Sequence, residues 1–572
     1  MSVTKVFVFG LDGATFDLIL PWAAEGKLPH FSRLVAEASW APLESVPNMR
    51  SAAAWTSFMT GKNPGKHGIF EFYEPIPQTY DLRFIHGGMR KGKSLWAMLS
   101  EQGKRVAVIN VPVTYPAESI NGILVAGLDA PSPQSPDFCH PPELLQELQA
   151  RFGTYILEPG LTGCLVGGKP DLAVQKLHKE LEQKEEITTY LMKKCKRDFF
   201  MVVFRSLDAV QHCFWKYMDA LHPQHNSAEA EHYGSVILEA YQHIDQTLGT
   251  IRAALDHDTI LIVMSDHGFG RKHPANNQLN RWLASHGFLH YSAGRGQVRL
   301  IQRRITRLLG KVYQLLIGNT PRPVKEKLAM RFPNLRNRVQ SRLCLTNIDW
   351  PHTKAYSDTL FPNIRINLEG REPKGIVKSG EEYWQVAEAI RKELAECRDA
   401  VTGRLIVDNV FHRDEIYFGP DVDKAPDLLI RWKEDEDIHG IALADNARVS
   451  AGMVEDSRPF VPGEDARVIS GDHRLYGVFL MAGKPIRKGV KLSKARIIDL
   501  APTILHLFDL PVPHDMDGWV LTEAFEEVAT PVRHHFQKGE AQESEDHSTE
   551  RDYSIEEKQA IAKRLRDLGY ID

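Results

Sequence analysis

Short apolar segments alternate with segments of helical periodicity along most of the chain. Four apolar segments are rich in Val, Ile and Phe and are continuous rather than alternating: KVFVFG at 5–10, RVAVINV at 105–111, DFFMVVFRS at 198–206 and TILIVMSD at 259–266. Continuous apolar strands are typical of parallel sheets, which are buried on both faces. Because a plausible helix precedes or follows each segment, the pattern predicts a doubly wound α/β sheet.

Residue types that suit metal binding stand at the ends of these strands. Ligands of open α/β sheets gather beyond the carboxyl ends of the strands, where Asp12 follows the first segment and Asp208 the third. Asp208 and His212 are four residues apart, so a helix would place both on one face. The candidates are three carboxylates and three imidazoles: Asp12, Asp208, His212, Asp266, His267 and His473. Taken singly, each aspartate is typical of a turn and each histidine of a structural role. Chance poorly explains all six at strand ends, and carboxylates with imidazoles are suitable ligands for a divalent metal ion.

The segment 295–342 interrupts this pattern with thirteen Lys or Arg residues against a single acid, Glu326. Its apolar positions recur every three or four residues between 301 and 315, which predicts an amphipathic, basic helix. Two interpretations stay open. The helix packs on the core with a solvated basic face, or it forms an electrostatic landing surface for a phosphate-rich or lipid-headgroup substrate, with peripheral membrane contact.

The C-terminal region is expected to be a linker followed by a helix. Residues 536–552 are polar and charged, which is typical of a flexible segment. Beyond them, Ser554 and Glu557 form an S-x-x-E capping box, and the helix that follows is predicted to end at Gly569. A docked terminal helix on a loose tether is therefore expected.

Composition and charge exclude several classes of protein. The 572 residues carry a net charge of −4, so no specific nucleic-acid binding is expected. The six cysteines form no C-x-x-C pair and indicate reduced thiols. No apolar run approaches the ~20 residues of a membrane span, and the N-terminus leads directly into a strand. A cytoplasmic protein is expected.

Seven segments of the chain match the motifs of a known enzyme family. In chain order they are FGLDGATFD, SAAAWTSFMTGKNPGKHGIFEF, NVPVTYPAESINGILVAGLDAPSP, DAVQHCFW, SDHGFG, NLEGREPKGIV and GDHRLYGVF. In order and spacing they resemble the motifs of the type I phosphodiesterase/nucleotide pyrophosphatase branch of the alkaline phosphatase superfamily. The resemblance covers nearly the whole chain up to about residue 525. The resemblance implies an alkaline-phosphatase-like α/β fold, a doubly wound, mostly parallel sheet flanked by helices, with a helical cap insertion.

The resemblance also implies two metal sites. It assigns the ligands in two sets: Asp208, His212 and His473, and then Asp12, Asp266, His267 and the oxygen of the nucleophile. Two cations roughly 4 Å apart stabilise both the attacking and the leaving oxygen of a phosphoryl transfer. Zinc is the usual occupant, and manganese is the alternative because mixed nitrogen and oxygen sites accept it.

The nucleophile is expected within the segment PNMRSAAAWTSFMTG. Family members carry a Ser or Thr four residues before a W-T-S-F-x-T-G segment, and this register gives Ser51. A helix from Ser51 to Met59 would then meet the phosphoryl oxygens with its first amides, so Ser51 is expected both to cap the helix and to attack. The runner-up is Ser45, with Asn48 lining the oxyanion site, although that register needs a six-residue gap.

Departures from the family pattern limit what carries over. Arg50 stands where monoesterases of the superfamily have an Asp, and Ala54 where nucleotide-acting relatives have an Asn. Arg50 is a candidate substrate-binding residue that either holds a phosphate oxygen or makes a structural salt bridge. The spacing of GKNPGKHG excludes a Walker phosphate loop, which leaves structural roles for Lys66 and His67.

The predicted protein is a metal-dependent phosphodiesterase or nucleotide pyrophosphatase that works through a phosphoseryl intermediate. Its substrate is expected to be a small phosphate ester or a lipid- or glycan-linked phosphate. A phosphomonoesterase or phosphonate hydrolase of the same superfamily is the alternative, and a non-catalytic scaffold using the basic insertion is the alternative of another class. The predicted organisation is a catalytic domain at 1–280 and 345–525, a basic helical cap insertion at 281–344, and a flexible linker with a C-terminal helix at 526–572.

Overall fold

The described part of the chain is built on one ten-stranded sheet. The computed structural model describes residues 5–292, 348–357, 361–434, 438–443, 468–526, 534–535 and 553–568. Nine strands lie side by side in the order Val490–Lys491, Ser39–Glu44, Tyr476–Ala482, Thr259–Met264, Lys5–Leu11, Phe199–Phe204, Val106–Val111, Gly122–Ala126 and Cys139–His140. A tenth strand, Ala495–Arg496, also pairs with Ser39–Glu44.

The four predicted strands form the centre of this sheet and confirm the predicted fold class. They are neighbours, all parallel, and almost every residue in them is buried: Thr259–Met264, Lys5–Leu11, Phe199–Phe204 and Val106–Val111. Tyr476–Ala482 runs antiparallel to both of its neighbours, Ser39–Glu44 and Thr259–Met264, so the sheet is mostly rather than wholly parallel.

The register of the central strands decides which residues meet at the carboxyl edge of the sheet. Leu11 pairs with Phe204, and Gly10 pairs with Met264. The segments that follow these three strands therefore leave the sheet side by side. Gly13 lies just past the first strand at φ +72°, a backbone conformation that favours glycine.

Helices flank the sheet and share its main hydrophobic core. Those of the sheet-bearing part are Phe16–Ala24, Pro29–Glu37, Ser51–Thr60, Pro64–His67, Leu95–Glu101, Glu143–Phe152, Leu161–Val166, Pro170–Lys194, Ser206–Met218, Ser227–Tyr233, Val236–Ala254 and Leu500–Leu507. Short 3₁₀ turns occupy Gly87–Met89, Asn276–Gln278, Trp350–His352, Val422–Lys424, Ile497–Asp499 and Thr522–Ala524. The predicted helix that begins at Ser51 is present and extends to Thr60.

A second, antiparallel sheet has a hydrophobic core of its own. Its strands are, in order, Ala355–Tyr356, Asn363–Ile366, Leu428–Trp432 and Val407–His412. The helices Leu279–Ser285 and Glu381–Ala395 contribute buried residues to this core, and Arg413–Ile416 is a further short helix. The second sheet falls within the 345–525 region, and the division of the chain into domains stays a prediction.

Three small ladders complete the described strands. Gly268–Arg271 pairs with Gly471–Arg474, and this ladder carries His473. The other two join Tyr73–Pro75 to Leu82–Phe84 and Val512–Pro513 to His534–His535.

The C-terminal helix is present as predicted and docks on the main core. It spans Ile555–Asp567, and the Ser554–Glu557 capping box is formed. Tyr553 is buried just before the helix, and Arg564 donates to the backbone carbonyls of residues 128, 130 and 131. The predicted linker at 536–552 and the basic segment 295–342 lie outside the described residues, as does most of the 281–344 insertion.

Within the described residues, every helix is too short or too polar to cross a lipid bilayer. Five cysteines lie in the described part of the chain, and all five are free. The structure thus agrees with the prediction of reduced thiols.

Candidate metal centre

Two groups of potential metal ligands form at the carboxyl edge of the main sheet. In each group the ligand atoms lie within 4.8 Å of one another, and every member is buried. The groups are Asp208, His212 and His473, and then Asp12, Asp266 and His267. The structure therefore brings together all six metal-ligand candidates from the sequence, in the two sets that the resemblance implied.

Strand ends, one helix and one ladder place these side chains. Asp12 and Asp266 follow adjacent parallel strands, and Asp208 and His212 lie one turn apart on the helix Ser206–Met218. His473 comes from a distant part of the chain. It reaches the site because its strand pairs with Gly268–Arg271, which directly follows the fourth predicted strand.

Each carboxylate has one oxygen fixed by the protein and the other directed toward its group. Asp12 accepts hydrogen bonds at Oδ2 from Trp55 and Arg205, at 3.3 and 3.2 Å. Asp266 accepts at Oδ1 from the backbone N–H of Gly13 at 3.2 Å, and Asp208 accepts at Oδ2 from Arg205 at 3.3 Å. The other oxygens of Asp208 and Asp266, Oδ1 and Oδ2 respectively, are buried and find no hydrogen-bond partner within the described residues.

The three imidazoles are anchored in a similar way. Their Nδ1 nitrogens lie 2.7 to 3.0 Å from backbone carbonyl oxygens: those of Gly471 for His212, Gly268 for His267, and Met49 for His473. A carbonyl can only accept, so each Nδ1 carries a proton, and in the neutral ring each Nε2 then presents a lone pair. Anchoring of this kind is typical of metal-binding histidines.

The first group is arranged as if around a cation. The Nε2 atoms of His212 and His473 lie 3.0 Å apart, and each is 3.2 Å from Oδ1 of Asp208. Two nitrogen lone pairs and a carboxylate oxygen repel one another unless a positive charge lies between them. The donor set therefore fits a divalent metal ion, and the orphaned carboxylate oxygens point to the same conclusion.

Burial also sets the protonation of the centre. Burial, aided by the charge of Asp208, raises the pKa of Asp12 to about 7, and burial raises the pKa of Asp266 well above its usual range. Burial lowers the pKa values of His267 and His473. The rings of His267 and His473 are thus held in the neutral, metal-binding form, whereas the charge of Asp208 raises the pKa of His212 despite its burial. Asp12 and Asp266 need a nearby cation to stay ionised together.

Ser51 lies in the second group, and Ser45 does not. The Ser51 hydroxyl is 3.2 Å from Nε2 of His267 and 3.5 Å from Oδ1 of Asp12. The Ser45 hydroxyl donates to the backbone carbonyl of Asp266. Ser51 is the first helical residue, whereas Arg50 is the N-cap and makes no side-chain capping bond. The expectation that Ser51 also caps the helix is therefore wrong, because its hydroxyl faces the ligand group.

The neighbours of the nucleophile candidate make structural contacts. Arg50 is buried, forms an ion pair with Glu71, and places its guanidinium 3.2 Å above the ring of Phe361. The structure thus contains the salt bridge that was one of the two interpretations of Arg50. Lys66 forms an ion pair with Asp517, so it also has a structural contact.

A cavity opens beside the first ligand group. Its volume is about 120 Å³, and its wall includes His473, Arg50, Met49, Phe361 and Trp432. The cavity is therefore shared between the nucleophile loop, the two-stranded ladder that carries His473, and the second sheet. The exposed surface of its wall is predominantly apolar.

The sequence matches a family profile over most of its length. The profile is that of the type I phosphodiesterase / nucleotide pyrophosphatase family, and it matches residues 6–440. The chain belongs to this family. Phosphodiesterases of this family are hydrolases that act on phosphate ester and pyrophosphate bonds. The matched region contains Asp12, Ser51, Asp208 and Asp266, while His473 lies beyond it and joins them through the fold.

Several solved structures have a similar chain course. Murine ectonucleotide pyrophosphatase/phosphodiesterase 5, as an inactive variant in complex with AMP, is 12% identical, with a TM-score of 0.46 and coverage of 91% of this chain and 100% of that one. The human protein is also 12% identical, with a TM-score of 0.44 and the same coverage of both chains. Phosphonoacetate hydrolase from Sinorhizobium meliloti, in complex with phosphonoformate, is 13% identical. Its TM-score is 0.49, and the match covers 89% of this chain and 96% of that one. The search of curated proteins returned no match.

Three groups contribute to the site that were not predicted from the sequence: the guanidinium of Arg205, the indole of Trp55 and the backbone carbonyl of Met49. Arg205 carried a usable signal, because it stands at the carboxyl end of a predicted strand segment and three residues before Asp208. A backbone carbonyl leaves no signal in residue types. Trp55 read as part of the family motif, and only the fold shows its contact with Asp12.

Proposed function

We propose that this family member is a two-metal phosphodiesterase or nucleotide pyrophosphatase in which Ser51 is the nucleophile. Its family membership supports the reaction class, and its two ligand groups support the metal requirement. The observation that carries the assignment of Ser51 is the position of its hydroxyl, 3.2 Å from Nε2 of His267 at the start of a helix.

The helix start supplies a second contribution to the proposed site. The first amides of Ser51–Thr60 and the positive end of its dipole lie where the hydroxyl does, and such helix ends bind phosphoryl oxygens. The helix is buried along its whole length, so it holds the hydroxyl on a rigid element. A phosphoryl group bound there meets the nucleophile and the amides together.

The proposed reaction is a double displacement at phosphorus. The Ser51 oxygen gives up its proton to solvent and forms a bond to phosphorus, while the bond from phosphorus to the leaving oxygen breaks and that oxygen takes up a proton from solvent. Water then attacks the phosphoserine, which releases the phosphorylated product and restores the hydroxyl. Two bound divalent cations would lower the pKa of the hydroxyl and offset the charge that develops on the phosphoryl oxygens. No histidine base is needed, because the ring that faces Ser51 belongs to the ligand set.

Zinc is the proposed metal. The first group offers two imidazole nitrogens and one carboxylate oxygen, and the second offers two carboxylates, one imidazole and the Ser51 oxygen. Imidazole suits zinc, whereas carboxylate-rich sites also accept manganese. The organic part of the substrate, from a small phosphate ester or a lipid- or glycan-linked phosphate, would occupy the cavity beside His473.

A paired substitution tests the nucleophile. Ser51→Ala is expected to abolish turnover of bis-p-nitrophenyl phosphate while the protein still binds two ions. Ser45→Ala is the matched control, because it removes the same hydroxyl group at a position where, in the described part of the chain, it bonds to the backbone carbonyl of residue 266. Full activity of Ser51→Ala would overturn the assignment, and loss of activity only in Ser45→Ala would move the nucleophile to that residue.

A substrate panel tests the reaction class. Zinc- and manganese-loaded protein would be compared on p-nitrophenyl phosphate, bis-p-nitrophenyl phosphate and a nucleotide p-nitrophenyl ester. The proposal expects the diesters to be hydrolysed faster. Preference for the monoester would identify a phosphomonoesterase. Stoichiometric metal binding without turnover of any ester would contradict the enzymatic proposal.

A further inference from the structure

Arg205 contacts one carboxylate from each ligand group. Its Nε donates to Oδ2 of Asp12 at 3.2 Å, and its Nη2 donates to Oδ2 of Asp208 at 3.3 Å. Asp12 belongs to the second group and Asp208 to the first. A single buried guanidinium therefore spans the two groups on the side away from their converging ligand atoms.

Two local rules of the fold put Arg205 in this place. The register that pairs Leu11 with Phe204 makes the following residues, Asp12 and Arg205, neighbours across two parallel strands. Arg205 is also the N-cap of the helix Ser206–Met218, so Asp208 lies three residues further on, on the first helical turn. The bridge follows from sheet register and helix spacing together.

We propose that Arg205 is a positioning residue that fixes the separation of the two ligand groups, a role that rests on the proposed two-metal function. The guanidinium is planar, and its Nε and Nη2 donors point in fixed directions from one carbon. When both donors are engaged, the two carboxylates are held at a set distance and angle. Oδ1 of Asp12 then faces Ser51, and Oδ1 of Asp208 faces His212 and His473.

Charge and geometry predict opposite effects for the loss of Arg205. A positive charge beside Asp12 and Asp208 repels any cation that they hold, so charge alone would make removal of Arg205 strengthen metal binding. Geometry predicts the reverse, because carboxylates that lose their anchors adopt other rotamers. Residues that orient metal ligands typically change affinity or activity by about 10- to 100-fold when replaced. The sign of the change therefore separates the two effects.

Two substitutions at this position make the test. Arg205→Met removes the charge and both donors, and Arg205→Lys keeps the charge but offers a single nitrogen that cannot reproduce the fork. The matched controls are Arg197→Met and Arg197→Lys. Arg197 lies just before the start of the same strand. Within the described residues it donates only to the backbone carbonyls of residues 192 and 195, and it lies far from both ligand groups along the strand.

Cobalt(II) is the probe, because its absorption spectrum reports coordination without any turnover. Binding to metal-free full-length protein would be followed by calorimetry and by that spectrum. The expected result is that Arg205→Met binds at least one ion about 10- to 100-fold more weakly, and that Arg205→Lys binds two ions with an altered spectrum. In turnover, Arg205→Lys should lower kcat and leave KM within about threefold. Both Arg197 variants should match the wild type in every measurement.

Several outcomes overturn the positioning role. Unchanged or tighter binding of both ions by Arg205→Met would show that charge, and not geometry, dominates at this position. A wild-type spectrum for Arg205→Lys would show that a single donor suffices, and a wild-type chain that binds fewer than two ions would remove the premise. If the wild type binds two ions but hydrolyses no ester, the proposed function fails while the cobalt comparison still decides the role of Arg205.

Discussion

The Nδ1 nitrogen of His473 lies 2.7 Å from the backbone carbonyl oxygen of Met49, which is 424 residues away in the sequence. Met49 holds a left-handed backbone conformation, with φ of +51°, that is uncommon for a residue other than glycine. It stands two residues before Ser51. The carbonyl therefore links the loop that presents the candidate nucleophile to a ligand of the other metal group.

The strained backbone at Met49 leads to the first prediction. Met49→Val should weaken metal binding and destabilise the protein by about 1–2 kcal/mol, because a β-branched residue disfavours a positive φ and displaces the carbonyl. Met49→Gly is the matched variant, since glycine adopts the same φ freely. Titration calorimetry with zinc measures the metal affinity of each variant, and denaturant unfolding measures its stability. Equal metal affinities for the two variants would show that the backbone conformation at this position does not orient His473.

Metal binding itself should stabilise the fold. Zinc at a free concentration of 100 times its dissociation constant is expected to raise the free energy of unfolding by about 2.7 kcal/mol for one site. Asp208→Asn should lose much of this gain, because it removes the charged ligand of the first group. Asp219→Asn is the control. Asp219 directly follows the same helix, but its carboxylate forms an ion pair with Arg271 and belongs to neither ligand group. Denaturant unfolding with and without zinc makes the measurement, and an equal gain in both variants would contradict the metal assignment.

A buried histidine near the cavity gives a prediction for acid stability. The ring of His273 stacks on Trp432 with centroids 5.0 Å apart, and its Nδ1 accepts from the backbone N–H of Ala275. Burial, with a smaller contribution from the charge of Arg474, lowers the pKa of His273 to about 3. The native state therefore keeps the ring neutral, whereas the unfolded chain protonates it near pH 6.5.

The sign of this effect follows from proton linkage. Below pH 6.5 the unfolded state binds a proton that the native state excludes, so stability falls as pH decreases from 6.5 toward 3, by up to roughly 4 kcal/mol from this group. His273→Phe keeps a ring against Trp432 but removes the titration, so its stability relative to the wild type should improve as the solution is acidified. Urea unfolding at pH 7, 5.5 and 4 tests this. A constant difference across that range would rule out the neutral native imidazole.

The sequence predicted the central strands and the ligand types well, because both depend on residue type at a local position. The strands around Val8 and Val202 are buried on both faces and leave a continuous apolar pattern. Asp12 and Asp266 are visible because they stand where such strands end. A polar residue at a strand end is a local feature that needs no knowledge of the sheet order.

The anchors of those ligands could not be predicted in the same way. The contact between Arg205 and Asp12 requires the register of two strands that are almost 200 residues apart, and the contact of His473 with Met49 involves only a backbone atom on one side. The second sheet was missed for another reason. Its strands are two to six residues long and lie amid irregular segments, so they leave little periodicity to read.

The docked C-terminal helix supports a last prediction, about stability. Arg564 donates from Nη1 to the carbonyls of Leu128 and Ala130 and from Nη2 to that of Pro131, and its burial lowers its pKa to about 10. Arg564→Met should destabilise the protein by about 2–4 kcal/mol, since three carbonyls lose a charged donor. Arg566→Met, on the same helix, changes the same residue type at a partly exposed position that makes no side-chain hydrogen bond within the described residues, so it should cost no more than about 0.5 kcal/mol. Guanidinium unfolding of the full chain compares the two variants, and a small, equal cost for both would show that the helix rests on its apolar residues alone.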